Sequence, residues 1–180
     1  MKTRTSDPDV QILAHAAATL EHDYPDKTEE DPWAGSPFQW ILARASGTKG
    51  AIGKRLVASW CAAKGLTVSR CADRGVDRVI GGRRIAIKFS RLWKTGIYKF
   101  QQSRDQDYEY AICLGICPSD AHCWVIPKDV VMRHARGQHM GEQARDTHEF
   151  SFRPEAPPSW LDPWGGSLSR ALAVLQRVSK

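Results

Sequence analysis

Val76-Asp77-Arg78-Val79-Ile80-Gly81-Gly82-Arg83-Arg84-Ile85-Ala86-Ile87-Lys88-Phe89-Ser90 is the stretch on which the fold turns. From Arg83 onward it alternates with period two, the repeat of a β-strand. Ile85, Ile87 and Phe89 form one face, expected to meet the core. Arg84, Ala86, Lys88 and Ser90 form the other, a polar face interrupted by the alanine. Val76 to Ile80 reads as a second short strand carrying one carboxylate, and Gly81-Gly82 as the turn between the two.

Working outward, Ala51 to Lys64 has the pattern of a helix. Ile52, Leu56, Val57, Trp60 and Cys61 lie on one stripe, Lys54, Arg55 and Lys64 lie off it, and Gly65 stops it. Ser46-Gly47-Thr48-Lys49-Gly50 reads as a linker after a short helix from Phe38 to Ala45. Leu66 to Cys71 alternates as a strand. Lys94-Thr95-Gly96 reads as a turn, and residues 97–105 as a short helix containing Gln101, Gln102 and Arg104. Tyr108 to Ile116 and Ala121 to Ile126 are strands, and Pro127-Lys128-Asp129 opens a helix. His148 to Phe152 is expected at a sheet edge. Ser167 caps a last helix with Leu168, Ala171, Leu172, Leu175 and Val178 as its apolar stripe. Residues 8–22 read as an N-terminal helix followed by an acidic loop. The order of elements predicts an α/β domain with a mixed central sheet flanked by helices. It divides into an N-terminal helical region (1–48), a core (49–128) and a C-terminal region (129–180).

Charge is segregated along the chain. Residues 32–104 hold fifteen Lys and Arg against two acids, Asp73 and Asp77, a local net charge of +13 within an overall +6. A basic half with an acidic remainder points to a polyanion-binding face. No apolar run reaches the roughly 20 residues that span a bilayer, and the N-terminus has no signal-peptide pattern, so no membrane partner and a cytoplasmic location are expected. The five cysteines, Cys61, Cys71, Cys113, Cys117 and Cys123, are expected as reduced thiols. Cys113, Cys117, Cys123 and His122 lack the spacing of a zinc pair and read as core. His134, His139 and His148 read as exposed or phosphate-contacting. Trp40, Trp60 and Trp124 read as core.

An aspartate followed about ten residues later by acid-x-Lys resembles the motif of the PD-(D/E)xK nuclease superfamily, which includes many type II restriction endonucleases. The matching residues are Asp77, Ala86 and Lys88, and the resemblance spans the helix at 51–64 through the strand at 108–116. It implies a restriction-endonuclease-like core and Mg²⁺-dependent hydrolysis of double-stranded DNA. In such a site a cation held by carboxylates lowers the pKa of bound water and neutralises the phosphate. By resemblance Asp77 binds metal, position 86 supplies the second carboxylate, the Ile87 carbonyl adds a ligand, and Lys88 positions the nucleophile. Gln101 or Gln102 would stand near the phosphate.

Val76 replaces the proline of the motif and Ala86 replaces its acid. Three accounts of Ala86 follow: an inactivated variant of a parent with glutamate there, a degenerate nuclease that only binds, or a carboxylate supplied from elsewhere. The alternative functions are a non-catalytic DNA-binding protein of the same fold and a structure-specific repair or junction nuclease. Lys54, Arg83, Arg84, Ser90, Arg91, Lys94, Lys99 and Arg104 are the expected DNA contacts. The run from Ser90 to Lys99, with Trp93 and Tyr98 among its basic residues, fits a loop along a backbone or in a groove. Cutting both strands would call for a homodimer.

Overall fold

The computed structural model describes residues 31–73, 75–138 and 147–179. The chain divides into two compact units, Met1–Pro32 and Trp33–Lys180. The expected N-terminal helix at 8–22 and His139 lie outside the described residues, and the larger unit holds every element below.

Helices α1 (Gln39–Leu42) and α2 (Ser46–Ala63) precede strands β1 (Val68–Ser69), β2 (Arg78–Ile80) and β3 (Arg83–Arg91). After them come β4 (Tyr98–Ser103), β5 (Tyr110–Ile116), β6 (Ala121–Pro127), α3 (Lys128–His134), β7 (Arg136–Gln138) and β8 (Thr147–Phe152). A 3-10 turn (Ser159–Trp164), β9 (Gly165–Ser167) and α4 (Leu168–Val178) complete the chain. The main sheet has the order β1-β2-β3-β5-β6-β9. Its β3–β5 pair is parallel and its other pairs antiparallel, so it is the mixed α/β sheet expected. Gly81 and Gly82, both at positive φ, close β2 onto β3 with Ile80 opposite Arg83. That is the two-residue hairpin geometry that glycine makes inexpensive.

Two apolar cores lie on opposite faces of this sheet. On one, α2 and α4 cover Ile85, Ile87, Ile112 and Leu114 with Val57, Cys61, Ala171 and Leu175. Gly53 allows the close approach of α2, since a Cβ there would overlap the Phe89 side chain. Ser167 Oγ accepts from the Arg170 N–H at 3.2 Å and caps α4, as expected. On the other face, Ala86, Ala111, Cys113 and Trp124 meet Tyr98, Phe100, Phe150 and Phe152 of a second sheet, ordered β4-β8-β7.

This second sheet changes several expectations. The predicted helix at 97–105 is strand β4. Tyr98 and Phe100, two apart, are fully buried, and their aromatic packing on Trp124, Phe150 and Phe152 outweighs the helical preference of the two glutamines. β8 is the middle strand of its sheet, not an edge. The face of β3 expected to be polar is mostly covered: Ala86 is 2% and Ser90 4% exposed. Residues 46–50 are the start of α2 and not a linker. Trp40 is exposed, because α1 turns it away from the core that takes Ile41. The cysteines are free thiols. Cys113 and Cys123 lie in the core, while Cys117 and His122 Nδ1 each sit 2.8 Å from the Tyr98 hydroxyl. His134 stacks on Trp160.

Candidate nucleic-acid interface

A cleft of about 760 Å³ opens where the first two turns of α2 face the middle of β3. Asp77, Ile87 and Lys88 line it together, so the aspartate just before β2 and the lysine of β3 converge there. The cause is local. Asp77 stands one step before the Arg78–Ile85 pair of the β2–β3 ladder. Its own N–H donates to the Ile85 carbonyl at 2.8 Å. Beyond this point β2 no longer covers β3, and the Asp77 carboxylate takes over: Oδ2 accepts from the Ile87 N–H at 2.7 Å. Oδ1 pairs with Lys54 Nζ of α2 at 2.6 Å.

Six cations line the cleft, Lys49, Lys54, Lys88, Arg91, Lys99 and Arg104, against one carboxylate, that of Asp77. Burial pushes the Lys88 ammonium below the usual lysine range, and Lys54 and Arg104 add to the shift while Asp77 opposes it. Arg104 Nε is buried and finds no acceptor among the described residues. The start of α2 adds to the same field. Ser46, Gly47 and Gly50 line the cleft, Ala45 provides no side-chain cap, and the first turn holds no acid. The first N–H groups of a helix have no acceptor within it, and the macrodipole favours an anion beside them.

The remaining expected contacts divide. Lys99 Nζ is 3.1 Å from Glu149, and Gln101 donates to the same carboxylate. Ser90 Oγ donates to the Arg91 carbonyl and accepts from the Lys99 N–H, so this hydroxyl serves to tie β4 to β3. The Gln102 side chain lies outside what the structure describes. Lys94 is exposed and does not line the cleft. Arg83 and Arg84 do not line it either, and Glu109 pairs with both. The Arg84 N–H, followed by the Arg83 guanidinium, holds the Glu109 carboxyl below its usual range. Lys49 and Gln106 line the cleft without having been anticipated. Had the helix been started at Ser46, the spacing of Gly47, Gly50 and Lys54 would have placed them on one helical face.

The structure is similar to that of a bacterial homing endonuclease, I-Ssp6803I, with TM-score 0.48 and 18% sequence identity over 75% of this chain and 95% of that one. No family model matches the sequence. No curated protein matches it.

Ala86 is buried in the second core and is absent from the cleft lining. A methyl group offers a metal no donor. The donors present do not fit the Mg²⁺ that the sequence motif implies. Both oxygens of Asp77 are engaged, and among the described residues no second carboxylate lines the cleft and no group of three His, Cys, Asp or Glu able to hold a metal occurs. Mg²⁺ is typically held by one or two carboxylates that are open to it.

Proposed function

We propose that this protein binds double-stranded DNA along the cationic cleft and does not cut it: a nuclease-type site that lacks its second acid. The observation that carries the reading is the charge of the cleft: six cations line it, of which Lys99 pairs with Glu149, and the one carboxylate among the described lining residues, Asp77, is paired with Lys54 and the Ile87 N–H. Phosphate oxygens are the ligand such a surface neutralises best. The buried Arg104 Nε and the uncapped start of α2 supply donors that a phosphate would satisfy. Asp77 and Lys88 share the cleft, which suits the paired roles the motif implies, but Ala86 offers no second carboxylate. Two copies of the chain would serve the two strands of a duplex symmetrically, a homodimer that light scattering of the DNA complex would reveal.

Fluorescence anisotropy with labelled duplex DNA across a salt series tests the reading. About four or five phosphate contacts give a slope of roughly −4 in log K against log salt. Lys88→Ala combined with Arg104→Ala should weaken binding by about tenfold or more, while Arg83→Ala with Arg84→Ala, paired to Glu109, should change it by less than about twofold. A flat salt response, or the reverse ranking of the two double variants, would overturn it.

A further inference from the structure

Among the described residues the exposed large apolar side chains are Trp40 and Trp93, and of these Trp93 lines the cleft. It is 42% exposed, so part of the indole is open to the cleft. Its backbone is firmly set. The Trp93 N–H donates to the Ile97 carbonyl at 2.9 Å, the Gly96 N–H donates back to the Trp93 carbonyl at 2.8 Å, and the Leu92 N–H reaches Ile116 of β5. Gly96 at φ +73° closes this turn. The Arg91 guanidinium carbon stands 5.4 Å from the indole centroid. The ring thus has one face beside a cation and is held at the rim of a cleft whose charge suits a phosphate chain.

We infer that Trp93, backed by Arg91, is a stacking platform for an unpaired nucleobase, so that the cleft prefers DNA carrying a bulged or unstacked nucleotide over perfect duplex. The inference rests on the DNA-binding reading and refines its substrate. Every base within a duplex already has both faces stacked on its neighbours, so a side chain entering a groove meets only base edges. The indole face gains a partner only from a base that has left the stack, and such stacking tolerates any base because each has a π-face. The cations lining the cleft would hold the flanking phosphates in either case, which makes Trp93 the discriminating residue and not the source of overall affinity.

The test uses the full chain with two labelled duplexes that differ by one unpaired nucleotide. Wild type should bind the bulged duplex about tenfold tighter than the perfect one, the range that one base–aromatic stack supplies. Trp93→Ala should erase that preference, bringing bulged-duplex binding down to that of the perfect duplex, and Trp93→Phe should retain most of the preference. No preference in wild type, or an equal loss on both duplexes with Trp93→Ala, would overturn the stacking role alone. Absence of binding to either duplex would instead overturn the cleft reading beneath it. Circular dichroism of each variant confirms that the fold is intact.

Discussion

Lys54 Nζ lies 2.6 Å from Asp77 Oδ1, and this pair joins α2 to the turn before β2 across the cleft. The Asp77 carboxylate is thus the counter-ion of a lysine. Asp77→Asn keeps an oxygen for the Ile87 N–H but removes the negative charge from the cleft lining and releases Lys54. DNA affinity should rise by about threefold, with a steeper salt dependence. A fall in affinity in anisotropy titrations would mean that Asp77 contributes to holding DNA.

An acid added at position 86 should give the cleft chemistry. Ala86 occupies the β3 position next to Ile85, opposite Asp77 in the extended β2–β3 register, and two residues before Lys88 on the same face. Ala86→Glu would place a second carboxylate beside the first. The position is buried, so the variant should lose about 2 kcal/mol or more of stability, seen as a lower Tm. Tyr108, whose buried hydroxyl has no hydrogen-bond partner among the described residues, belongs to the same core as Ala86 and is a donor that could offset part of this cost. The folded variant should nick supercoiled plasmid in Mg²⁺ but not in EDTA, and adding Asp77→Asn should abolish the nicking. A folded variant that leaves plasmid intact would show that the missing acid is not what separates this site from a nuclease.

Lys88 gives the binding a pH dependence. Its pKa is lowered by burial, so it loses its proton at a lower pH than an ordinary lysine does. The charge that attracts phosphate is fully present below that pKa and is lost as pH rises through it. DNA affinity should therefore decline at a pH below that at which an ordinary lysine loses its proton, while Lys88→Arg, whose guanidinium keeps its proton, should hold its affinity over the same range. Parallel curves for the two proteins would exclude Lys88 as the titrating group.

Much of this was legible in the sequence, and the misses have physical causes. The period-two run from Arg83 and the glycine pair before it carried the hairpin, and through it the approach of Asp77 to Lys88. The polar face assigned to Ala86 failed because β3 is covered on both sides, which removes the contrast that alternation relies on. That cover comes from Tyr98 and Phe100, whose strand is defined by packing against β8 about fifty residues later in the chain and by no local pattern. Arg83 and Arg84 read as phosphate contacts because nothing nearby in sequence announces Glu109. Lys49 was missed because Gly47 and Gly50 argued for a linker, yet their lack of side chains suits a helix start that lines a cleft.

Gly53 is the clearest single position where fold and cleft depend on each other. It lies next to Lys54 on α2 and against Phe89 on β3. Gly53→Ala gains helix propensity, worth about 1 kcal/mol, but the added methyl overlaps Phe89 and displaces the helix at a cost of about 1–3 kcal/mol. The net effect should be a lower Tm and weaker DNA binding, as Lys54 and the start of α2 shift away from β3. Gly50→Ala, which has open space, should raise Tm. Equal Tm changes for the two variants would contradict the close contact.

The most direct measurement is lysine labelling of the intact protein with and without saturating duplex DNA, read by mass spectrometry. Lys49, Lys54, Lys88 and Lys99 should become protected together, while Lys64 at the far end of α2 should react as before. Protection centred on Lys64, or uniform across the chain, would contradict a DNA-binding cleft between α2 and β3.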